Sequence, residues 1–290
     1  MASPASLSLA GRFGGRRRRV PRHGSGTTIV AIAVLAAIVL LCLIGPLFAK
    51  DPGVLDNANR FAGPSASSWF GTDQLGRDLF ARMVAGGRIS LGIAAGATVV
   101  SMLLGALWGF TAALARGFLD ELLMRLADVT MAIPQLLFAL VFVAAFGANT
   151  AGLALIVGVL LTPVTARMIR SAVLTELQSD YTQAAVAYGA SRWRLVLREI
   201  LPNVSAPLGV QASINAANAI ILEAALSFVG LGVQPPDASW GTLLQQGYQK
   251  IYQSTSGVII PALAIFLTIW MLNLLADQLG GTDDVRGRTG

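Results

Sequence analysis

Hydrophobic and polar positions along the chain fall into long blocks rather than a short alternation. Six apolar stretches, 27–48, 89–115, 122–146, 150–169, 205–229 and 258–279, match the length of about 20 residues that a helix needs to cross the hydrocarbon core. A helix pairs its backbone N–H and C=O groups within the segment, as lipid requires. The pattern predicts an all-α, polytopic membrane protein with six transmembrane helices. The polar intervals divide the chain into a basic tail (1–26), a first span (27–48), a long polar segment (49–88), a core of five spans (89–279) and a second tail (280–290). Within the core a polar stretch at 180–203 interrupts the apolar pattern.

Composition agrees with the pattern. Hydrophobic residues make up 54% and charged residues 12%, against about 25% charged in a soluble domain. Cys42 is the one cysteine and lies in an apolar run, so the chain can form neither an internal disulfide nor a cysteine metal cluster. His23 is the one histidine, which excludes a multi-histidine zinc site. No nucleophile, base and orienting group stand at a recognisable catalytic spacing. The first apolar run is longer than the roughly 7–15 residues of a signal-peptide core and is expected to remain as an anchor.

The net charge is +6, and Arg16 to Arg19 stand just before the first span. There such a run fixes topology rather than binding nucleic acid. If that end is inside, Arg116, Arg125, Arg167, Arg170, Arg192, Arg194, Arg198, Arg286 and Arg288 also fall inside. Both termini are then cytoplasmic, and 49–88 lies outside despite its own charges. Gly92 and Gly96 form a small-xxx-small pair suited to close helix packing, within the chain or against a second membrane subunit. Pro134 and Pro163 are expected to kink their spans.

The interrupting stretch is DYTQAAVAYGASRWRLVLREILPN, Asp180 to Asn203. Asp180 and Gln183 suggest a capping pair that starts a helix. Gly189 ends it by taking positive φ, and Ser191 offers the N-cap of a second helix. Trp193, Leu195, Val196, Leu197 and Ile200 give that helix an apolar side, and Pro202 is expected to stop it. A DNA-reading helix-turn-helix is disfavoured, because both ends are tied to membrane spans.

This stretch resembles the cytoplasmic coupling motif of ABC importer permeases: Glu-Ala-Ala, three residues, Gly, then a later Ile-x-Leu-Pro. Gln183, Ala184, Ala185, Gly189, Leu201 and Pro202 fall on the matching positions, with Ala190 and Ser191 in the turn. Gln183 replaces the family Glu, and Glu199 holds the usual Ile place. Ser68 to Leu91 (SWFGTDQLGRDLFARMVAGGRISL) and Glu223 to Gly241 (EAALSFVGLGVQPPDASWG) are similar to the C-type permease subunit of bacterial dipeptide and oligopeptide importers. NLLADQLGGTDD keeps the family Asp at Asp277, but the tail diverges.

The resemblance implies a type I ABC importer permease in the bacterial plasma membrane. It also implies a homologous B-type permease partner, two ATP-binding subunits or one fused ATPase, and an extracytoplasmic substrate-binding protein. The only lysines, Lys50 and Lys250, lie in no phosphate-binding loop. ATP and Mg would therefore be handled by the partner subunits, and no cofactor is expected on this chain. A nickel or other small-solute importer of the same family stays open, as does a secondary transporter or channel.

Polar residues inside spans are costly and call for a reason. Asn215 and Asn218 share a helix face at i, i+3 and could line the path or bond between helices. Glu223 could meet a cation, a partner arginine or a backbone amide, or contact substrate. Asp128, three residues after Arg125, suggests a local ion pair. Outside, Asp73, Arg77 and Asp78 give turn chemistry leading into an amphipathic helix. Trp240 suggests a loop at the membrane interface. These four are the candidates for extracytoplasmic contact.

Overall fold

The apolar runs fold as helices throughout the computed structural model, which describes residues 25–147 and 149–286. The Arg16 to Arg19 run, His23 and Arg288 lie outside the described residues. Helix α1 covers Ser25–Ile44. Helix α2, Leu79–Ala115, has 37 residues, about 55 Å at the helical rise and well beyond a hydrocarbon core of about 30 Å. It therefore begins ten residues before the expected span, capped by Asp78, whose carboxylate accepts from Ala81 N–H at 2.9 Å.

At the far end of α2, Arg116 and Gly117 both take positive φ (53° and 62°) and reverse the chain into α3, Gly117–Ala132. The expected single span 122–146 is instead two helices, α3 and α4 (Gln135–Phe146), bent by 86°. Pro134 has no N–H to donate, and its ring drives Ile133 to extended geometry, ψ 129°. Pro163 by contrast lies within a single helix, α5, Thr150–Glu176, which continues past 169 toward the polar stretch.

That stretch holds α6 (Asp180–Ala187), α7 (Arg192–Arg194), a π-helical segment (Leu195–Ile200) and α8 (Leu201–Asn203). Then come α9 (Ser205–Phe228), α10 (Trp240–Tyr248) and α11 (Ser256–Arg286). Helices α1, α2, α5 and α11 are long and apolar enough to span, and the bent α3/α4 pair raises four to five. The sixth expected span, α9, has the length, with 24 residues. Gln211, Ser213, Asn215, Asn218 and Glu223 along it make it more polar than the others.

Helices α2 and α5 make the most extensive helix–helix contact, and glycine makes it close. A Cβ on Gly105 would stand 2.6 Å from Thr165 Cγ2, one on Gly109 2.6 Å from the Ala166 carbonyl oxygen, and one on Gly158 2.6 Å from Val100 Cβ. The Gly92/Gly96 pair is only half used: Gly96 faces Ala154, whereas nothing lies within 4 Å of a Cβ on Gly92. The main core joins Ile93, Ala97, Leu153, Val157, Leu161, Ile220 and Leu226 from α2, α5 and α9. Smaller clusters cap each end: Cys42, Met83, Trp240 and Leu243 at one, and Ala113, Ile169, Val173, Leu195 and Ile200 at the other.

Gly109→Leu is expected to destabilise the fold by at least about 1–3 kcal/mol, because the neighbour at 2.6 Å is backbone and cannot yield. Gly92→Leu should stay within about 0.5 kcal/mol. Thermal unfolding of the two variants in the same detergent compares them directly, and equal losses would contradict this packing.

Candidate functional site

The polar stretch forms two short helices joined by a defined turn. Ser179 occupies the N-cap position of α6 with no capping side-chain bond, and its hydroxyl donates to the Glu176 carbonyl at 2.7 Å. The expected Asp180/Gln183 capping pair is thus corrected. Asp180 is the first helical residue, where its charge favours the N-terminus, and Gln183 Nε2 reaches back to the Gln178 carbonyl at 3.0 Å. The other end follows expectation. Gly189 has φ +79°, its N–H bonds Val186 O at 2.9 Å, and Ala190 N–H bonds Ala185 O at 3.0 Å. This pair of bonds is the Schellman closure, which satisfies the carbonyls the helix end would leave open.

Ser191 caps the second helix, its hydroxyl accepting from Arg194 N–H at 3.3 Å. Pro202 does not stop that helix. The backbone widens to π geometry from Leu195 to Ile200, Leu201 N–H bonds Val196 O five residues back, and helical backbone continues through Asn203. The wider register absorbs the missing proline N–H. Asn203 Nδ2 then donates to Glu199 O and Ser205 Oγ to Pro202 O, serving carbonyls near the break.

Leu195 and Ile200 turn inward onto Ala113, Ile169 and Val173, while Tyr188, Trp193 and Leu197 stay 93%, 76% and 56% exposed. The second helix thus has an apolar side on each face, one anchored in the bundle and one free. Gln183, Ala184, Gly189, Ser191, Leu201 and Pro202 are exposed on this surface, with Ala185 and Ala190 half-buried.

The two asparagines separate. Asn215 is buried and interhelical: its Nδ2 donates to Ser101 Oγ (2.9 Å) and Thr165 Oγ1 (2.8 Å), and its Oδ1 accepts from Gln211 Nε2. Asn218 is exposed. Glu223, 1% exposed, touches neither solvent nor an outer surface. It accepts from Ser90 Oγ at 3.0 Å and Ser227 Oγ at 2.6 Å, which corrects the expectation of substrate or partner contact. Asp128 pairs with Arg167 of α5 rather than with Arg125, which faces Glu121. Asp120 takes Arg170 in two parallel bonds of 2.5 and 2.6 Å, tying α3 to α5.

At the opposite end Asp73 is a hub. It accepts from Leu75 and Arg77 N–H, from Arg77 Nε at 2.7 Å and from Arg82 at 2.6 Å, and Arg82 also donates to Gln246 of α10 at 2.9 Å. Burial works to raise the Asp73 carboxyl, but those backbone N–H groups and the two guanidinium groups outweigh it and hold it below its usual range. Trp240 is not interfacial. It is 2% exposed, opens α10 and packs against Cys42 and Met83, with Nε1 donating to Met83 O. Helix α10 and the Arg82 and serine partners were missed by sequence reasoning. The signal for α10 was Ser239-x-x-Thr242, a capping box that the structure forms.

Stacked helices of spanning length, a broken span and a capped helix pair at one end describe a membrane transport subunit. The chain belongs to the family of binding-protein-dependent transport system inner membrane components, whose model matches residues 101–281. Among relatives, it is 35% identical to the probable D,D-dipeptide transport system permease protein DdpC of Escherichia coli, over 92% of this chain and 90% of that one. It is 36% identical to the di/tripeptide transport system permease protein DppC of Pseudomonas aeruginosa, over 89% and 87%. It is also 36% identical to the glutathione transport system permease protein GsiD of Pectobacterium atrosepticum, over 86% and 85%. In fold it is similar to the inward-facing MetNI methionine ABC transporter, with TM-score 0.56, 19% identity and coverage of 72% of this chain and 97% of that chain. The protein is the permease subunit of an ABC importer.

Asp73→Asn removes the carboxylate facing Arg82, itself 4% exposed, and is expected to cost about 3–5 kcal/mol. Because the folded Asp73 titrates low, this stabilisation is complete above the unfolded value of about 3.9 and is lost as pH falls through the folded value. Proteolysis of segment 49–78 should accelerate at neutral pH in the variant, and in the parent only as pH falls below the usual carboxylate range.

Proposed function

We propose that the chain forms part of the translocation path for dipeptides or oligopeptides in an ATP-driven importer, and that Asp180 to Asn203 is its ATPase-coupling surface. The observation that carries this is the capped helix pair with Tyr188, Trp193 and Leu197 exposed beside inward-facing Leu195 and Ile200. Large apolar side chains left exposed together on a polar loop ask for a protein partner. In this reading Gln183, Ala184, Ala185, Gly189, Ala190, Ser191, Leu201 and Pro202 lie in the groove of a cytoplasmic ATP-binding subunit, with Arg194 and Arg198 at the rim. ATP and Mg are bound by that subunit. Movement passes as rigid-body rotation into α5 and α9, which flank the segment directly.

The Arg-rich side is cytoplasmic in this reading, with both termini there and segment 49–78 and α10 outside. Peptide cargo is supported by the relatives named for dipeptides, di/tripeptides and glutathione. A second, homologous permease is supported by an apolar concavity of about 480 Å³ between α2, α3, α4 and α5, lined by Leu107, Trp108, Met131, Phe138 and Pro163. Trp108 Nε1 is buried there with no acceptor among the described residues. A substrate-binding protein delivers cargo to the outer face, where half-buried Asp73, Arg77 and Asp78 are the contact candidates and buried Trp240 supports the surface from within.

Because a Cβ on Gly189 meets nothing within 4 Å, substitutions there act through backbone conformation alone. Gly189→Val should cost about 1–2 kcal/mol locally and sharply reduce co-purification of the ATPase, whereas Gly189→Asn, which tolerates positive φ, should retain it. Equal co-purification of both would sink the coupling assignment. Reconstitution with partner subunits in vesicles tests cargo. ATP-dependent uptake of labelled di- and tripeptides is expected, and uptake of nickel without peptide uptake would overturn the peptide reading.

A further inference from the structure

Glu223 is a buried carboxylate whose hydrogen-bond partners are serine hydroxyls, and it takes part in none of the ion pairs among the described residues. Its balance comes from elsewhere. The backbone N–H of Trp240 donates to Ser90 Oγ at 3.0 Å, and the Ser90 hydroxyl donates to Glu223 Oε2. The backbone N–H of Thr242 donates to Ser239 Oγ at 3.2 Å, Ser239 donates to Ser227 Oγ at 3.2 Å, and Ser227 donates to Glu223 Oε1. Carboxylate oxygens accept, so Ser90 and Ser227 each spend their one proton on Glu223 and Ser239 spends its own on Ser227, while the two backbone N–H groups fill acceptor sites at the far end of each chain. Both chains start at the first turn of α10 and end on one carboxylate.

The open N–H groups of a helix N-terminus carry partial positive charge, and here two serine relays deliver that polarity to Glu223. We propose that Glu223 is a positioning residue of the transport cycle: it anchors the N-terminus of α10 to α9 and α2, so that α10 moves with α9 as one unit. The fit around the anchor is tight. A Cβ on Gly241 would lie 2.7 Å from Ala224 Cα, and one on Gly87 2.4 Å from Cys42 Sγ and 2.8 Å from the Trp240 ring. From the anchor, α10 runs to Gln246, which holds Arg82, and ends at exposed Tyr248, with exposed Tyr252 in the turn that follows. A shift of α9 is thereby carried to the outer surface.

Cys42, 4% exposed beneath Trp240, is a built-in reporter for the seat of α10. The test labels membranes holding the full complex with a permeant maleimide and quantifies the Cys42 peptide per copy of the chain by mass spectrometry. In Glu223→Gln the carboxamide can accept only one chain, and Cys42 labelling is expected to rise about tenfold, the equivalent of one buried hydrogen bond lost. Ser90→Ala with Ser227→Ala removes both relays while keeping the carboxylate, and should raise labelling at least as much. Wild-type labelling in either variant overturns the anchor. Peptide uptake per assembled complex should fall in both variants while hydrolysis without binding protein persists, and wild-type uptake overturns the positioning role. Only this uptake arm rests on the importer reading. If the parent takes up no peptide, that reading fails while Cys42 labelling still decides the anchor.

Discussion

The close approach of α2 and α5 is the contact on which the rest of the structure depends. In lipid the hydrophobic effect does not drive two apolar helices together, so association rests on dispersion and on how near the backbones can come. Gly105 and Gly109 on α2 and Gly158 on α5 remove the side chains that would hold them apart. Helices α1, α3, α4, α9 and α10 pack on one or both members of this pair, and α11 packs outside it on α1, α9 and α10. Helix α9 packs against both, α10 against the projecting start of α2, and the π-helical segment against Ala113, Ile169 and Val173 at the other end.

Polar clamps fix the two ends of this frame in different ways. At the end near the polar stretch, charge meets charge: Asp120 with Arg170 and Asp128 with Arg167, each joining α3 to α5. These clamps hold the first half of the broken span to the helix that leads directly into α6. At the other end Asp73 and Arg82 join the long segment to α2, and Gln246 extends the clamp to α10. Deeper in, Glu223 is balanced by oriented dipoles. Ion pairs suit the ends, where water lowers the cost of desolvation, and dipoles suit the interior, where an unpaired charge would be costly.

Much of this was legible from residue pattern. The helix class, the turn at Gly189 and the N-cap at Ser191 follow from local chemistry that any context would leave intact. Pro134 and Pro202 show where local reasoning stops. Both lack an N–H, yet one breaks its helix by 86° and the other is absorbed by a change to π register. That difference depends on what packs around each proline, which a one-dimensional pattern does not hold. Trp240 and Glu223 were misplaced for a related reason: their partners Met83 and Ser90 are 157 and 133 positions away.

Helix α9 shows how the same constraint governs a span that is too polar by composition. Each buried polar side chain on it is answered within the frame. Asn215 bonds Ser101 of α2 and Thr165 of α5, Gln211 turns to Asn215, Ser213 donates to its own helix at Gly209, and Glu223 receives Ser90 and Ser227. Such bonds are worth only about 0.6 kcal/mol each on average in a membrane, too little to drive assembly. Their weight lies in selection. If α9 rotated or slid by a residue, Asn215 and Glu223 would lose partners at once, and an unsatisfied buried group costs about 1–3 kcal/mol. The polar residues thus set the register of α9 against α2 and α5, and its buried apolar residues Ile220, Leu222 and Leu226 supply the packing. A helix held in one register along its whole length is suited to move as a unit when α6 and the π-helical segment are displaced.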